Sequence, residues 1–286
     1  MKKTIATFLA LTLALSLTAC GGAAASTASS AAQSASTSDT GITLKVGASP
    51  APHAEILEAA KPILAEQGIN LEIITFDDYV LPNTALSEGD LDANYFQHQP
   101  YLDLFNEKNG TEIASLAAIH YEPLGIYPGK SKDLTKDLEG ITVGIPNDGS
   151  NEARALYLLE AQGLITVDHA AGYEATPLDI AKDGNPHNIQ FVEMDADKLP
   201  AALPDVDYAV INGNYAIAAG INETVLVTES AEGDSAKTYA NIVAVRKGDE
   251  TRPELLALAK VLQSETIKAF AQEKYKGSVV VLDAAK

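Results

Sequence analysis

Short apolar runs alternate along this chain with longer stretches in which apolar residues recur every third or fourth position, and the two periods predict strands and helices in turn. Leu44 to Ala48 reads as a strand, and His53 opens a helix with Ile56, Leu57, Ala60, Ile63 and Leu64 on one face. Pro62 is expected to kink that helix and Gly68 to end it. Leu71 to Phe76 is a second strand, Pro82 begins a short helix reaching Glu88, Leu91 to Tyr95 is a third strand, and a helix follows from Tyr101 to Glu107. Tyr121 to Pro128, with two prolines and a glycine, reads as an extended crossing between lobes. The alternation then restarts. Ile141 to Ile145 is a strand, Pro146 to Ser150 a turn-rich loop, and a helix carrying Ala153, Leu156, Tyr157 and Leu159 ends near Gly163. Later strands are Ile189 to Met194, Tyr208 to Ile211 and Val225 to Val227. Ile242 to Val245 returns the chain to the first lobe, and the helices Pro253 to Gln263 and Thr266 to Tyr275 close it, with Ser264 as N-cap. Strand–helix alternation implies parallel pairing through helical crossovers, hence an α/β molecule of two lobes around a cleft.

The first residues change the picture of where this body works. Met1-Lys2-Lys3 precedes an apolar run from Ile5 to Leu17 and then Leu17-Thr18-Ala19-Cys20-Gly21, the pattern of a signal peptide ending in a lipobox, with Cys20 lipidated. Cys20 is the only cysteine, so no intramolecular disulfide can form. Residues 21–41 are nearly all Ala, Ser, Thr and Gly, too poor in apolar area to fold, and read as a flexible tether. The boundaries are 1–20 for the signal peptide, 21–41 for the tether, 42–122 with 242–286 for lobe 1, and 123–241 for lobe 2. The chain carries 39 acidic against 20 basic residues, and its charge would repel nucleic acid and anionic lipid alike.

Candidate chemistry gathers at strand ends. Gly89 to Tyr101 places Tyr95, Phe96 and His98 where an apolar run gives way to Pro100, and ligands of open α/β sheets bind outside such ends. The residues alone leave two readings open: a ligand pocket with an apolar and a polar part, or aromatic core beside a satisfied His. Arg154, one of only three arginines, lies about one turn into a helix behind Asn147-Asp148-Gly149-Ser150. Free helix-start amides and a guanidinium fork suit a carboxylate, and a surface ion pair with Glu152 or Glu160 is the alternative. Asn212-Gly213-Asn214 makes a tight turn after an apolar strand, and Asn241 sits before another; each serves a ligand or simply its own backbone. The five histidines show no metal spacing, and no nucleophile or nucleotide motif occurs, so neither metal, cofactor nor enzymatic activity is expected.

Longer motifs carry a resemblance. Phe76-Asp77-Asp78-Tyr79-Val80-Leu81-Pro82-Asn83, Gly89 through Leu102, Glu122-Pro123-Leu124-Gly125-Ile126-Tyr127-Pro128, Ile145 through Leu156 and Val210-Ile211-Asn212-Gly213-Asn214-Tyr215-Ala216 together resemble the NlpA/MetQ family of substrate-binding lipoproteins of methionine ABC importers. The resemblance implies a two-lobed periplasmic-binding-protein fold that takes L-methionine or a related ligand to permease and ATPase subunits from a lipid-anchored, extracytoplasmic position. It implies that Arg154 holds the ligand's carboxylate, that Asn212 and Asn241 serve its polar backbone with Asn151 beside them, and that Phe76, Tyr79, Tyr95, Phe96, His98 and Tyr101 line the side-chain pocket. A surface lipoprotein that binds another amino acid or a short peptide as adhesin or sensor is the alternative.

Overall fold

The computed structural model describes residues 41–230 and 234–283, so the leader, Cys20 and nearly all of the 21–41 tether lie outside the described residues. The first strand, β1 (Ile42–Ala48), alternates until Leu44, Val46 and Ala48 are fully buried. A helical turn (Pro50–Ala54) leads into α1 (Glu55–Ala65), which runs on through Pro62 and buries Ile56, Leu57, Ala60 and Leu64. Then come β2 (Ile69–Thr75), α2 (Leu81–Glu88), β3 (Ala93–His98), α3 (Gln99–Asn109) and β4 (Ile113–Tyr121). The next stretch holds β5 (Gly125–Pro128), β6 (Thr142–Pro146), α4 (Gly149–Ala161), β7 (Gln190–Met194), α5 (Leu199–Ala202), β8 (Tyr208–Ile211), α6 (Gly213–Ala218), β9 (Val227–Thr228) and α7 (Asp234–Thr238). The chain closes with β10 (Asn241–Arg246), α8 (Pro253–Leu262), α9 (Glu265–Tyr275) and β11 (Val280–Val281). Ser264 caps α9 by accepting from the Ile267 N–H, as its position predicts. Among the described residues no helix is long and apolar enough to cross a membrane.

Two mixed sheets result, ordered β11-β4-β10-β3-β1-β2 and β7-β6-β8-β5-β9. Parallel pairing is as expected between β1 and β2, β1 and β3, β6 and β7, and β6 and β8. It fails at β5, antiparallel to β8 and β9, at β11, antiparallel to β4, and at β10, which runs antiparallel to both β3 and β4. For β10 the reason is where it enters. It arrives from the second sheet at the edge where β3 and β4 end, so Asn241 pairs with His98 on one side and His120 on the other. A strand entering at that edge has to run against those leaving it. The first sheet packs on α1, α8 and α9 through Leu44, Val46, Ile56, Leu57, Leu255 and Ile267, and the second packs on α4 through Val143, Ile145, Leu156 and Val210.

The strand β4 has no counterpart among the sequence expectations. Its middle residues are half exposed, so its pattern resembles surface more than core. The strand β3 extends past the expected Leu91–Tyr95 to His98, and all of its residues are buried. On β10 the consecutive residues Ile242 and Val243 face Gln97 and Tyr95, which leaves Phe96 as the extra residue of a β-bulge.

Candidate functional site

A cavity forms where the ends of β3 and β4, the start of α4, the β8–α6 turn and the start of β10 meet. Tyr79, Phe96, His98, Tyr101, Asn151, Arg154, Asn212 and Asn241 all line it. Gly213 and Asn214 of the turn after β8 line it too, as do Gln97 and Glu122, which were not named as site residues from the sequence. Two residues expected in the pocket lie elsewhere. Tyr95 is fully buried in the core of the first sheet, with its hydroxyl on His120 Nδ1, because the bulge turns Phe96 and not Tyr95 toward the cavity. Phe76 packs with Leu86, Leu91 and Leu102 behind β1, against Gly47. In both cases burial demand won: an aromatic at a strand end fits a core as well as a cleft.

The anion end of the site differs from its expected form. Asp148 is the N-cap of α4 and accepts from the Asn151 N–H at 3.1 Å, so the helix-start amide is already occupied by the protein's own carboxylate. Asn151 folds back on the same carboxylate through its Nδ2, and its Oδ1 accepts from His98 Nε2 at 3.1 Å and Asn212 Nδ2 at 2.8 Å. What remains for an anion is Arg154, whose side chain is only 4% exposed. Its partner is neither Glu152 nor Glu160. Nε donates to Glu229 at 2.8 Å, Nη2 to Glu229 at 2.5 Å, and Nη2 also to the Glu122 carbonyl at 3.0 Å. The Tyr239 ring lies 4.3 Å from the guanidinium carbon.

Opposite Arg154 is an acid that sequence reasoning missed. Glu122 is 4% exposed and sits in the three-residue crossing between β4 and β5. Its Oε1 accepts from His120 Nε2 at 2.5 Å and lies 3.4 Å from His53 Nε2, which donates to Asn241 Oδ1 at 2.8 Å. Tyr95 donates to His120 Nδ1, so the chain of bonds fixes the Nε2–H tautomer of His120. Burial pushes the Glu122 carboxyl up to about 7, against the opposing pull of His53 and Arg154. Burial also lowers His120 to about 3 and His53 to about 4, so both imidazoles are neutral at neutral pH. The donor atoms of His53, His120 and Glu122 converge within 4.8 Å. At 2.5 Å, however, the His120–Glu122 pair is closer than two ligands of one zinc ion sit, and it is a hydrogen bond. The traces of this acid in the sequence are its place at the start of the Glu122-to-Pro128 motif and the spacing of His120 and Glu122, which puts both on one side of an extended chain.

Two buried polar atoms near this cluster, His53 Nδ1 and Asn212 Oδ1, have no partner among the described residues. An unpaired buried acceptor is costly, and Asn212 belongs to the cavity wall. The remaining wall is aromatic. Tyr79 lies 5.7 Å from Phe96, 5.8 Å from Tyr101 and 5.0 Å from Tyr215 between ring centroids. The Tyr79 hydroxyl donates to Asn214 Oδ1 at 2.6 Å, tying a loop of the first sheet to α6 beside the second.

Residues 44–282 match the family model described as NlpA lipoprotein. The chain belongs to the NlpA lipoprotein family. A curated relative, the methionine-binding lipoprotein MetQ of Bacillus subtilis, is 40% identical over 242 residues, 82% of this chain and 86% of that one. Among solved structures, a nutrient-binding protein of Burkholderia cenocepacia bound to methionine is 42% identical with a TM-score of 0.78, covering 83% of this chain and 99% of that one. An ABC transporter periplasmic substrate-binding protein of Coxiella burnetii is 40% identical with a TM-score of 0.78, covering 84% and 100% of the two chains. NlpA lipoprotein membership accounts for the α/β fold of two sheets.

Proposed function

We propose that this chain is the substrate-binding lipoprotein of an ABC importer, taking L-methionine or a close relative into the cavity and delivering it to a permease and its ATPase. The observation that carries the reading is a zwitterion's complement: a buried cation, Arg154, and a buried acid, Glu122, in one cavity with an unpaired acceptor, Asn212 Oδ1, and an aromatic wall. In this reading Arg154 receives the carboxylate. Glu122, Asn212 and Asn241 receive the ammonium group. The thioether lies among Tyr79, Phe96 and Tyr101, with His98 and Asn151 bracing the two ends. Burying a Met-sized side chain contributes roughly 1.5–3 kcal/mol, and sulfur–aromatic contacts add about 0.3–1.5 kcal/mol.

The test is calorimetry on Arg154→Ala. Leaving one member of a buried charge pair without its partner costs about 2–5 kcal/mol, so affinity for every amino-acid ligand should fall by tens to thousands of fold. An Arg154→Ala variant that binds methionine like the parent refutes the carboxylate assignment.

The reading includes a lipid anchor at Cys20 on the extracytoplasmic face. Replacing Cys20 by Ala should move the protein from the membrane pellet into the soluble fraction, and retention of that variant in the pellet at high salt argues against the anchor.

A further inference from the structure

A receptor for a zwitterion has to keep a cation and an anion in one small cavity without letting them pair with each other. Arg154 and Glu122 meet this difficulty directly, because Arg154 Nη2 already donates to the Glu122 carbonyl at 3.0 Å. In a low-dielectric cavity the guanidinium would be drawn to that residue's carboxylate as well. The acid that stands in the way is Glu229, just beyond β9. It receives Nε at 2.8 and 3.0 Å and Nη2 at 2.5 Å. It is held in turn by the Tyr121 hydroxyl at 2.9 Å and the Leu124 N–H at 2.9 Å. Glu229 does not line the ligand cavity. It lines a separate cleft behind Arg154 with Tyr157 and Tyr239, so it grips the guanidinium from the far side. Of the five N–H groups of a guanidinium, Glu229 and the Glu122 carbonyl take those on Nε and Nη2, which among the described residues leaves the Nη1 pair for a ligand.

We propose that Glu229 is the positioning residue that keeps the two poles of this site apart: it holds the Nε/Nη2 edge of Arg154, presents Nη1 to the ligand's carboxylate, and leaves the Glu122 carboxylate to the ligand's ammonium group. This rests on the reading of Arg154 and Glu122 given above. Without Glu229 the guanidinium turns to the remaining buried acid, Glu122, and the carboxylate receptor is lost to the ammonium receptor. Glu229 thus sets specificity for a free carboxylate without touching the ligand.

The experiment compares L-methionine with L-methioninol, which keeps the ammonium and thioether groups and lacks the carboxylate. Calorimetry is run on the purified parent, Glu229→Gln, Glu229→Asp and the double variant Glu122→Gln/Glu229→Gln. The parent should prefer methionine by roughly 30-fold or more, the loss expected when a buried charge lacks its partner. Glu229→Gln should bring that preference to about threefold or less, and Glu229→Asp should retain most of it. In the double variant the competing acid is gone, so a preference for methionine should return although both ligands bind more weakly. A purely structural tie of β9 would weaken both ligands equally. An unchanged methionine-to-methioninol ratio in Glu229→Gln therefore overturns the proposal, as does a double variant that regains no preference. A parent with no preference overturns the carboxylate reading itself, and this inference with it, which separates the two failures.

Discussion

A carboxyl group raised to about 7 is half protonated near neutral pH, and Glu122 is such a group inside the cavity. The titratable groups facing it are His53 from the helical turn before α1, His120 from β4 with Tyr95 behind it, and Arg154 from α4. The two imidazoles are neutral at this pH, so the Glu122 carboxyl is the one that changes state near pH 7. An ammonium ligand meets its ionised form. Binding should release a proton at pH 6, and methionine affinity should rise by about tenfold for a unit of pH below the carboxyl's pKa, then level off above it. Calorimetry in buffers of different ionisation enthalpy reads the proton directly. Glu122→Gln should remove the pH dependence and weaken binding by a few tens of fold or more. A flat profile between pH 6 and 8 in the parent would show that Glu122 does not meet the ammonium group.

At the scale of elements, the site depends on two departures from regularity. The bulge in β3 presents Phe96 to the cavity while Tyr95 stays in the core. The start of α6 approaches Glu122 so closely that only glycine fits there: a Cβ on Gly213 would lie 2.8 Å from Glu122 Cβ and 2.9 Å from Glu122 Oε2. Neither contact is one that real side chains make. Gly213→Ala should therefore displace the Glu122 carboxylate, cost roughly 1–3 kcal/mol of stability through overpacking, and weaken methionine binding by tenfold or more. Thermal unfolding and calorimetry on the same sample measure the two effects. Unaltered affinity in a folded Gly213→Ala variant would mean that the exact place of Glu122 does not matter to the ligand.

For the whole molecule, bonds between residues flanking the two sheets hold the cavity closed: Tyr79 to Asn214, the Tyr215 hydroxyl to the Asp77 carbonyl at 3.0 Å, and His98 to Asn151. Three of the histidines around this junction are buried neutral, with His53 lowered to about 4 and His98 and His120 to about 3, burial being the largest cause in each. Between those values and the ordinary 6.5, the unfolded chain binds protons that the folded one refuses, so stability is lost as pH falls from 6.5 toward 4. Glu122 and Glu152, both raised to about 7 by burial, work in the opposite direction, since between about 4.5 and 7 the folded state keeps protons that the unfolded state gives up, and Asp148 is raised in the same sense. Three imidazoles oppose these carboxyls. The net slope is about one proton, roughly 1.4 kcal/mol per pH unit. Denaturant titrations at pH 4.5, 5.5 and 6.5 should show a modest loss of stability toward acid, and a rising stability in that direction would count against neutral burial of the histidines.

Local pattern alone determined the order of most strands and helices, though not β4, β11 or the short helices α5 to α7, together with the cap at Ser264, the crossing after Tyr121 and the stretches that hold Arg154, Asn212 and His98, because each follows from periodicity and turn chemistry within a few residues. The eight expected residues that reach the cavity come from five separate stretches of sequence, and the motifs around all of them but Asn241 made them legible as one group. What the tertiary structure alone decided is which way each side chain faces and which charges meet. Tyr95 and Phe96 are neighbours with the same propensity, and only the register of β10 against β3 sends one to the core and the other to the cavity. Glu122 is one acid among 39, and burial beside two histidines 69 and 2 residues away in the chain sets it apart. Glu229 lies 75 residues from Arg154, and no local pattern can signal that pairing. Electrostatic character arises from burial and proximity, and both are properties of the packed chain, not of any segment of it.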